Sequence, residues 1–408
     1  MKKGLSLFLS LVPVASFAAT LPSPSTGPVA NVDYVHRAIN QKWGIGYQPV
    51  AAAAPYAVNM EYLLGAIDAA NEILNGKAIT NYANTEYATK YAANTVVVDY
   101  AVANMVRDEG FYVEYNGDEA AMIISAAGNF VIDWGDDAPE SCQRNITKNV
   151  GATEYTCEYG TSGIHKVRLS GTATGYSTGT GDGDAAFSLY KIDSGIRKSV
   201  VNISGCLGCV FPTIGDGDTT SNQPMFHSAF RGLTSMTTDI ASLHDLFNGV
   251  HGAPRQRMFS HLFYQSAVSG VIPTMFAGIT GAPVEDMFYR TFSDCKNITG
   301  IGGALFAGIS GKPQTRMFAE VFYKSANLSG TIPLNLFGTY TSTDVKTTGS
   351  NMFQRVFSGC SKLTGDSAKV SVDGTPTYLY NIWSSGGSDA YNGATGLADY
   401  DSIPSSWL

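Results

Sequence analysis

The residues of this 408-residue chain best suited to chemistry are six histidines, six cysteines and a few clustered aspartates. The histidines are His36, His165, His227, His244, His251 and His261. No two of them stand four residues apart around a Glu, the spacing that brings two imidazoles and a general base to one metal ion. No phosphate-binding loop is present, and carboxylates are too sparse in the C-terminal half to supply a glycosidase pair. The chain is therefore not expected to be an enzyme, and no cofactor or metal is expected.

The aspartates raise the question of calcium. Asp133 and Asp136 flank Trp134-Gly135, and Gly-Asp-Gly-Asp occurs twice, at 181–184 and 215–218. A calcium loop spaces its oxygen ligands around a Gly and closes on a Glu. Neither Gly-Asp stretch continues that way, so both are expected to be turns, in which Asp accepts backbone N–H bonds. The cysteines are Cys142, Cys157, Cys206, Cys209, Cys295 and Cys360. Cys142 and Cys157 flank one short segment and form the expected disulfide. Cys206 and Cys209 have redox or half-zinc spacing without a second half, which leaves a local disulfide or two buried thiols.

Residues 1–19 have a basic start, an apolar run and small residues at Ser16, Ala18 and Ala19. That order predicts a cleaved secretory signal peptide. Secretion or display at the cell surface follows as the expected location. No later apolar run is long enough to span a bilayer. The net charge of -8, without Lys/Arg clusters, argues against nucleic acid as a partner. The partner expected of an exported interaction protein is an extracellular protein or glycan.

Residues 20–109 read as a linker and three short amphipathic helical phrases. Their stretch "YATKYAANTVVVDYAV" is similar to helical segments in the trimeric shafts of phage tail fibres. From residue 110 the hydrophobic period changes to two, which predicts a small β-sandwich over 110–203. Residues 204–366 then repeat themselves. Met-Phe recurs at Met225, Met258, Met287, Met317 and Met352, at steps of 33, 29, 30 and 35 residues. A second Phe follows each first one four residues later, as in Phe288 and Phe292, which predicts an amphipathic helix. A Ser/Thr-Gly phrase such as "NLSGTIP" predicts a short strand stopped by Pro. Stacked units would cover one another's phenylalanines. Residues 367–408 are expected to cap the stack.

The phrases "FSDCKNITGI" and "FSGCSKLTG" resemble the F-x-x-C-x-x-L-T core of BspA-type leucine-rich repeats and the related 26-residue repeats of bacterial surface proteins. The segment from Ile132 to Asp136, with "SGIHKVRLSG", resembles the PKD-like sandwich, although Asp137 stands where that family has Gly. The resemblance implies an α+β multidomain chain: N-terminal helices, a PKD-like sandwich, and a leucine-rich-repeat-like α/β solenoid with a cap. It implies an exported, adhesin-like interaction protein. The alternative is a structural fibre trimerised by its N-terminal helices. The ligand is expected on the polar positions that vary between units: His227, His261, Tyr264, Tyr289, Arg290, Glu320, Tyr323 and Arg355.

Overall fold

The structure is a computed structural model of the full chain. It describes residues 110–408 except 218, 313, 347 and 348, and before them only two short strands. Those strands, β1 (Val29–Asn31) and β2 (Ala57–Asn59), pair antiparallel in a first unit, residues 1–107. The expected signal peptide, the phage-fibre-like stretch and most of the three helical phrases lie outside the described residues. The second unit, residues 108–408, is described below.

It begins with strands β3 (Phe111–Ile124), β4 (Ala127–Asp133), β5 (Asn145–Lys148), β6 (Thr153–Gly175), β7 (Phe187–Ser188) and β8 (Val200–Gly205). They form one antiparallel sheet in the order β5-β4-β6-β3-β7, with β8 also on β3. Alternation explains it: Phe111, Val113 and Tyr115 are fully buried while Tyr112 and Glu114 are only half-buried. The expected two-layer sandwich does not form. The buried face has no second sheet over it, because Phe111, Phe130 and Phe187 pack instead against Phe211 and Phe230 at the start of the repeats.

Three short helices complete the inventory of α-helix among the described residues: α1 (Ser194–Ser199), α2 (Leu207–Val210) and α3 (Leu379–Ile382). None lies in the Met-Phe segments, so the α/β solenoid expected there is overturned. The remaining strands are short and lie in small sheets. The strand β9 (Ser269–Ile272) pairs parallel with β10 (Asn297–Ile301), and β11 (Ser329–Thr331) with β12 (Lys362–Thr364). The last two, β13 (Lys369–Val372) and β14 (Thr375–Tyr378), form an antiparallel hairpin.

The Met-Phe segments are runs of tight turns with a period of four. In one unit Asp286, Arg290 and Asp294 have φ of 55°, 59° and 56°. Between them the backbone donors alternate. Tyr289, Thr291 and Ser293 donate to the carbonyls of Asp286, Phe288 and Arg290. Phe288, Arg290, Phe292 and Asp294 donate instead to Met317, Ala319, Val321 and Tyr323 of the next unit, at 2.7–3.1 Å. A helix would spend every donor inside itself. Here half are spent on the neighbour, which offsets a cost of roughly 1 kcal/mol for each left-handed non-Gly residue.

A four-residue turn period aligns the phenylalanines as well as a helix would. Phe226, Phe259, Phe288, Phe318 and Phe353 form one column with ring centroids 5.5–5.9 Å apart. Phe230, Phe263, Phe292, Phe322 and Phe357 form a second at 5.2–5.9 Å. A third runs through Phe247, Phe276, Phe306 and Phe337. All of these rings are buried, each worth about 1.5–3 kcal/mol in burial alone. At the far end Trp407 and Tyr391 extend the first two columns.

The third column needs glycine beside it. Gly278, Gly308 and Gly338 follow its phenylalanines, and a Cβ on any of them would collide with the backbone carbonyl of Val250, Ile279 or Ile309 in the preceding unit.

Candidate binding face

The left-handed turn positions recur in every unit and therefore stack into rows. One row runs Ser228, His261, Arg290, Glu320, Arg355 and Asp389, all with φ between 51° and 59°. A second runs Arg257, Asp286, Arg316 and Asn351. Three pairs of neighbours in these rows are of opposite charge and meet. The Arg290 Nε and Nη2 donate to Glu320 Oε2 at 2.8 Å, Arg316 reaches Asp286 at 2.8 Å, and Arg355 reaches Asp389 at 3.3 Å. Burial opposes the charge of Arg290, but Glu320 and Tyr289 hold its guanidinium above the ordinary arginine range. Burial raises Asp286 against the pull of Arg316.

Tyrosines stand between these arginines. Arg231 lies over Tyr190 at 4.3 Å and over Tyr264 at 5.0 Å. Arg290 lies over Tyr264 at 5.6 Å and Tyr289 at 5.0 Å, and Arg316 over Tyr289 at 5.5 Å. Tyr190, Arg231, Tyr264, Arg290, Tyr289 and Arg316 thus form one continuous, half-buried band of rings and guanidiniums. Each cation–π contact is worth roughly 0.5–1 kcal/mol at such partly exposed sites.

The residues expected to bind are sorted by this geometry. Tyr264, Tyr289 and Arg290 lie together in the band. Glu320 is buried behind Arg290, 4% exposed, and sets its direction. His227 and His261 are buried beneath the band and are not surface letters. The His227 Nε2 lies 2.5 Å from Asp182, and His261 packs edge-on against Tyr264 and Tyr289. Burial, with Arg257 nearby, lowers His227 to about 4, and burial with His227 and Arg231 lowers His261 to about 2. Both imidazoles are neutral at pH 7. Tyr323 sits beside Lys324, and Arg355 is paired with Asp389, so neither joins the band.

Three members of the band escaped the repeat pattern. Tyr190 precedes the first unit, so no period marks it. Arg231 sits in the weakest copy. Arg316 immediately precedes Met317 and counts among the repeated letters, although Asp286 and Asn351 hold the equivalent place.

Asp182 and Asp184 do structural work. Asp182 faces His227 and Lys191, while Asp184 accepts from Gly181 N and the Ser177 hydroxyl. The buried Arg255 donates to the carbonyls of Ser177, Gly179 and Gln223, which pins this loop to the repeats. Asp133 accepts from Gly135 N at 3.1 Å, closing a turn. Among the described residues no three His, Cys, Asp or Glu side chains group as metal ligands, and Asp218 is outside them. Residues 175–179 spell Gly-x-Ser-x-Gly, the letters of a nucleophile elbow that the histidine spacing does not reveal. The base position beside Ser177 is taken by the Asp184 carboxylate, and no α-helix follows, so the elbow is not built.

Disulfides join Cys142 to Cys157 and Cys206 to Cys209. Cys295 and Cys360 are buried thiols in successive odd units, donating to the carbonyls of Phe263 and Phe322. Ser325 fills the same slot between them and donates to Phe292.

No helix of the described residues is long and apolar enough to cross a membrane. Comparison with family models, with curated proteins and with solved structures finds no match to this chain.

Proposed function

We propose that this chain is an exported, adhesin-like interaction protein, secreted or held at a cell surface, and that its tyrosine–arginine band is the ligand platform. The observation that carries this reading is the continuity of the band. Six alternating rings and guanidiniums, with their backs fixed by Glu320, Asp286 and buried imidazoles, present a rigid surface across successive units. Tyrosine and arginine are the residues that supply most binding energy at interfaces, because they offer large area and several donors at low entropy cost.

Two further features support export. Disulfides persist in oxidising compartments, and the chain begins with the layout of a secretory signal. The resemblance of "FSDCKNITGI" and "FSGCSKLTG" to BspA-type surface repeats points the same way. An extracellular protein or glycan is the ligand class proposed. The test is an array of extracellular proteins and glycans probed with the full chain and with Tyr264→Ala. A ligand lost in the variant, with unchanged melting temperature, supports the platform. A ligand bound equally by both, or no ligand on any array, overturns it.

A further inference from the structure

Beside one end of the band, helix α1 and the first three repeat units enclose an open cleft of about 530 Å³. Three cations line it, Arg197, Lys198 and Lys296, against one carboxylate, Asp294. Its local charge of +2 stands out in a chain of net charge -8. Lys296 lies 3.6 Å from Asp294, and Asp193, the N-cap of α1, attracts Arg197, so Lys198 is the cation of the cleft least tied to a carboxylate. Arg197 is held in place: its Nη1 donates to the Tyr190 carbonyl at 2.7 Å, and its guanidinium lies over the Tyr190 ring and beside Gly232. Arg197 thus joins the cleft to the Tyr190 end of the band.

The rest of the lining mixes the amides of Gln265 and Asn297 and the hydroxyls of Thr234 and Ser266 with Gly232 and Ala267. Both amides recur by unit. Gln265 and Asp294 hold equivalent turn positions, and Asn297 and Asn327 each donate to the backbone carbonyl of the unit before. Cations fixed among amides, next to aromatic rings, on a surface with a regular repeat, match a polymer that also repeats and carries hydroxyls and an anion.

Resting on the platform reading, we infer that the cleft binds an acidic polysaccharide. Its anion, a carboxylate or a sulfate ester, would be taken by Arg197, Lys198 and Lys296, and its ring hydroxyls by Gln265 and Asn297. An acidic peptide offers the same anion, and the titration below separates it from a polysaccharide.

The experiment titrates the full chain with hyaluronan oligosaccharide (carboxylate only), heparin oligosaccharide (sulfate-rich), dextran (neutral) and poly-glutamate. Binding to hyaluronan, heparin or both is expected, weakening as salt rises, with dextran and poly-glutamate roughly tenfold weaker or silent. Hyaluronan alone assigns the carboxylate; heparin alone assigns the sulfate. Combining Lys198→Gln with Lys296→Gln is expected to weaken binding about tenfold at low salt without shifting the melting temperature. Failure to bind either polysaccharide, equal binding to poly-glutamate, or an unaffected double variant overturns the inference. If an array ligand is lost in Tyr264→Ala while neither polysaccharide binds, or the double variant leaves their binding unaffected, the cleft assignment falls and the platform stands.

Discussion

Arg290 and Glu320 occupy the same left-handed turn position in successive units, and two guanidinium nitrogens of Arg290 converge on Glu320 Oε2 at 2.8 Å. The pair joins the architecture to the candidate platform. Glu320 is buried at the turn, and Arg290 carries its charge outward to Tyr264 and Tyr289. A row of backbone turns thus orients a row of surface side chains.

Glu320→Gln keeps the shape and removes the charge. Arg290 is partly exposed, so solvent screens part of the loss, and the expected destabilisation is about 1–3 kcal/mol. Urea unfolding of the two proteins measures it. A change within about 0.5 kcal/mol, the range of an ordinary surface substitution, would contradict the buried-pair account.

Gly308→Ala forces a Cβ against the Ile279 carbonyl of the preceding unit. Backbone cannot yield as a flexible side chain can, so a loss of about 1–3 kcal/mol or more is expected. Gly183→Ala is the control, since a Cβ there meets nothing within 4 Å. Equal melting temperatures for the two variants would show that the units do not approach this closely.

The buried histidines make stability depend on pH. His227 titrates at about 4 when folded and near 6.5 when unfolded, because burial and Arg257 disfavour its charged form. The unfolded chain therefore binds more protons in this window. Stability is full above pH 6.5 and is lost as pH falls toward 4, by roughly 3 kcal/mol for this group. His261 adds in the same direction down to about 2. Urea midpoints measured from pH 7 to 4 should fall steadily, and His227→Gln should flatten part of that slope. Identical slopes for the two proteins would remove His227 from the account.

Cys295 and Cys360 are buried and their thiols are pushed up to about 12 by burial. In the native protein neither should react with a thiol reagent at pH 8, and denaturation without reductant should release both. The other four cysteines should stay silent until reduced. Reaction of either thiol in the folded chain would contradict its placement.

The repeat itself was legible because Met-Phe marks each unit and Phe recurs four residues on. The conformation was not. Four residues is the spacing of one helical turn and also of this tight turn, so Phe288 and Phe292 align in both. The choice is made by hydrogen bonds between units, which no single unit displays. Polar residues such as Asp286, Arg290 and Asp294 tolerate positive φ here because the next unit takes their N–H. Single-chain alternation likewise located Phe111, Val113 and Tyr115 on a buried face. It did not show that the repeats, and no second sheet, would cover that face. Among the candidate ligand residues, Tyr264, Tyr289 and Arg290 were marked by their variation between units. His227 and His261 vary equally and are buried, His227 against the Asp182 loop and His261 against His227, Tyr264 and Tyr289.

The tyrosine–arginine band is proposed to hold an extracellular ligand. The most direct measurement is the affinity of the full chain and of Arg231→Ser plus Tyr264→Ala for a ligand found on an extracellular array. A loss of about a hundredfold is expected, since two central residues worth roughly 1–2 kcal/mol each are removed, with the fold intact. Undiminished affinity in the double variant would contradict it.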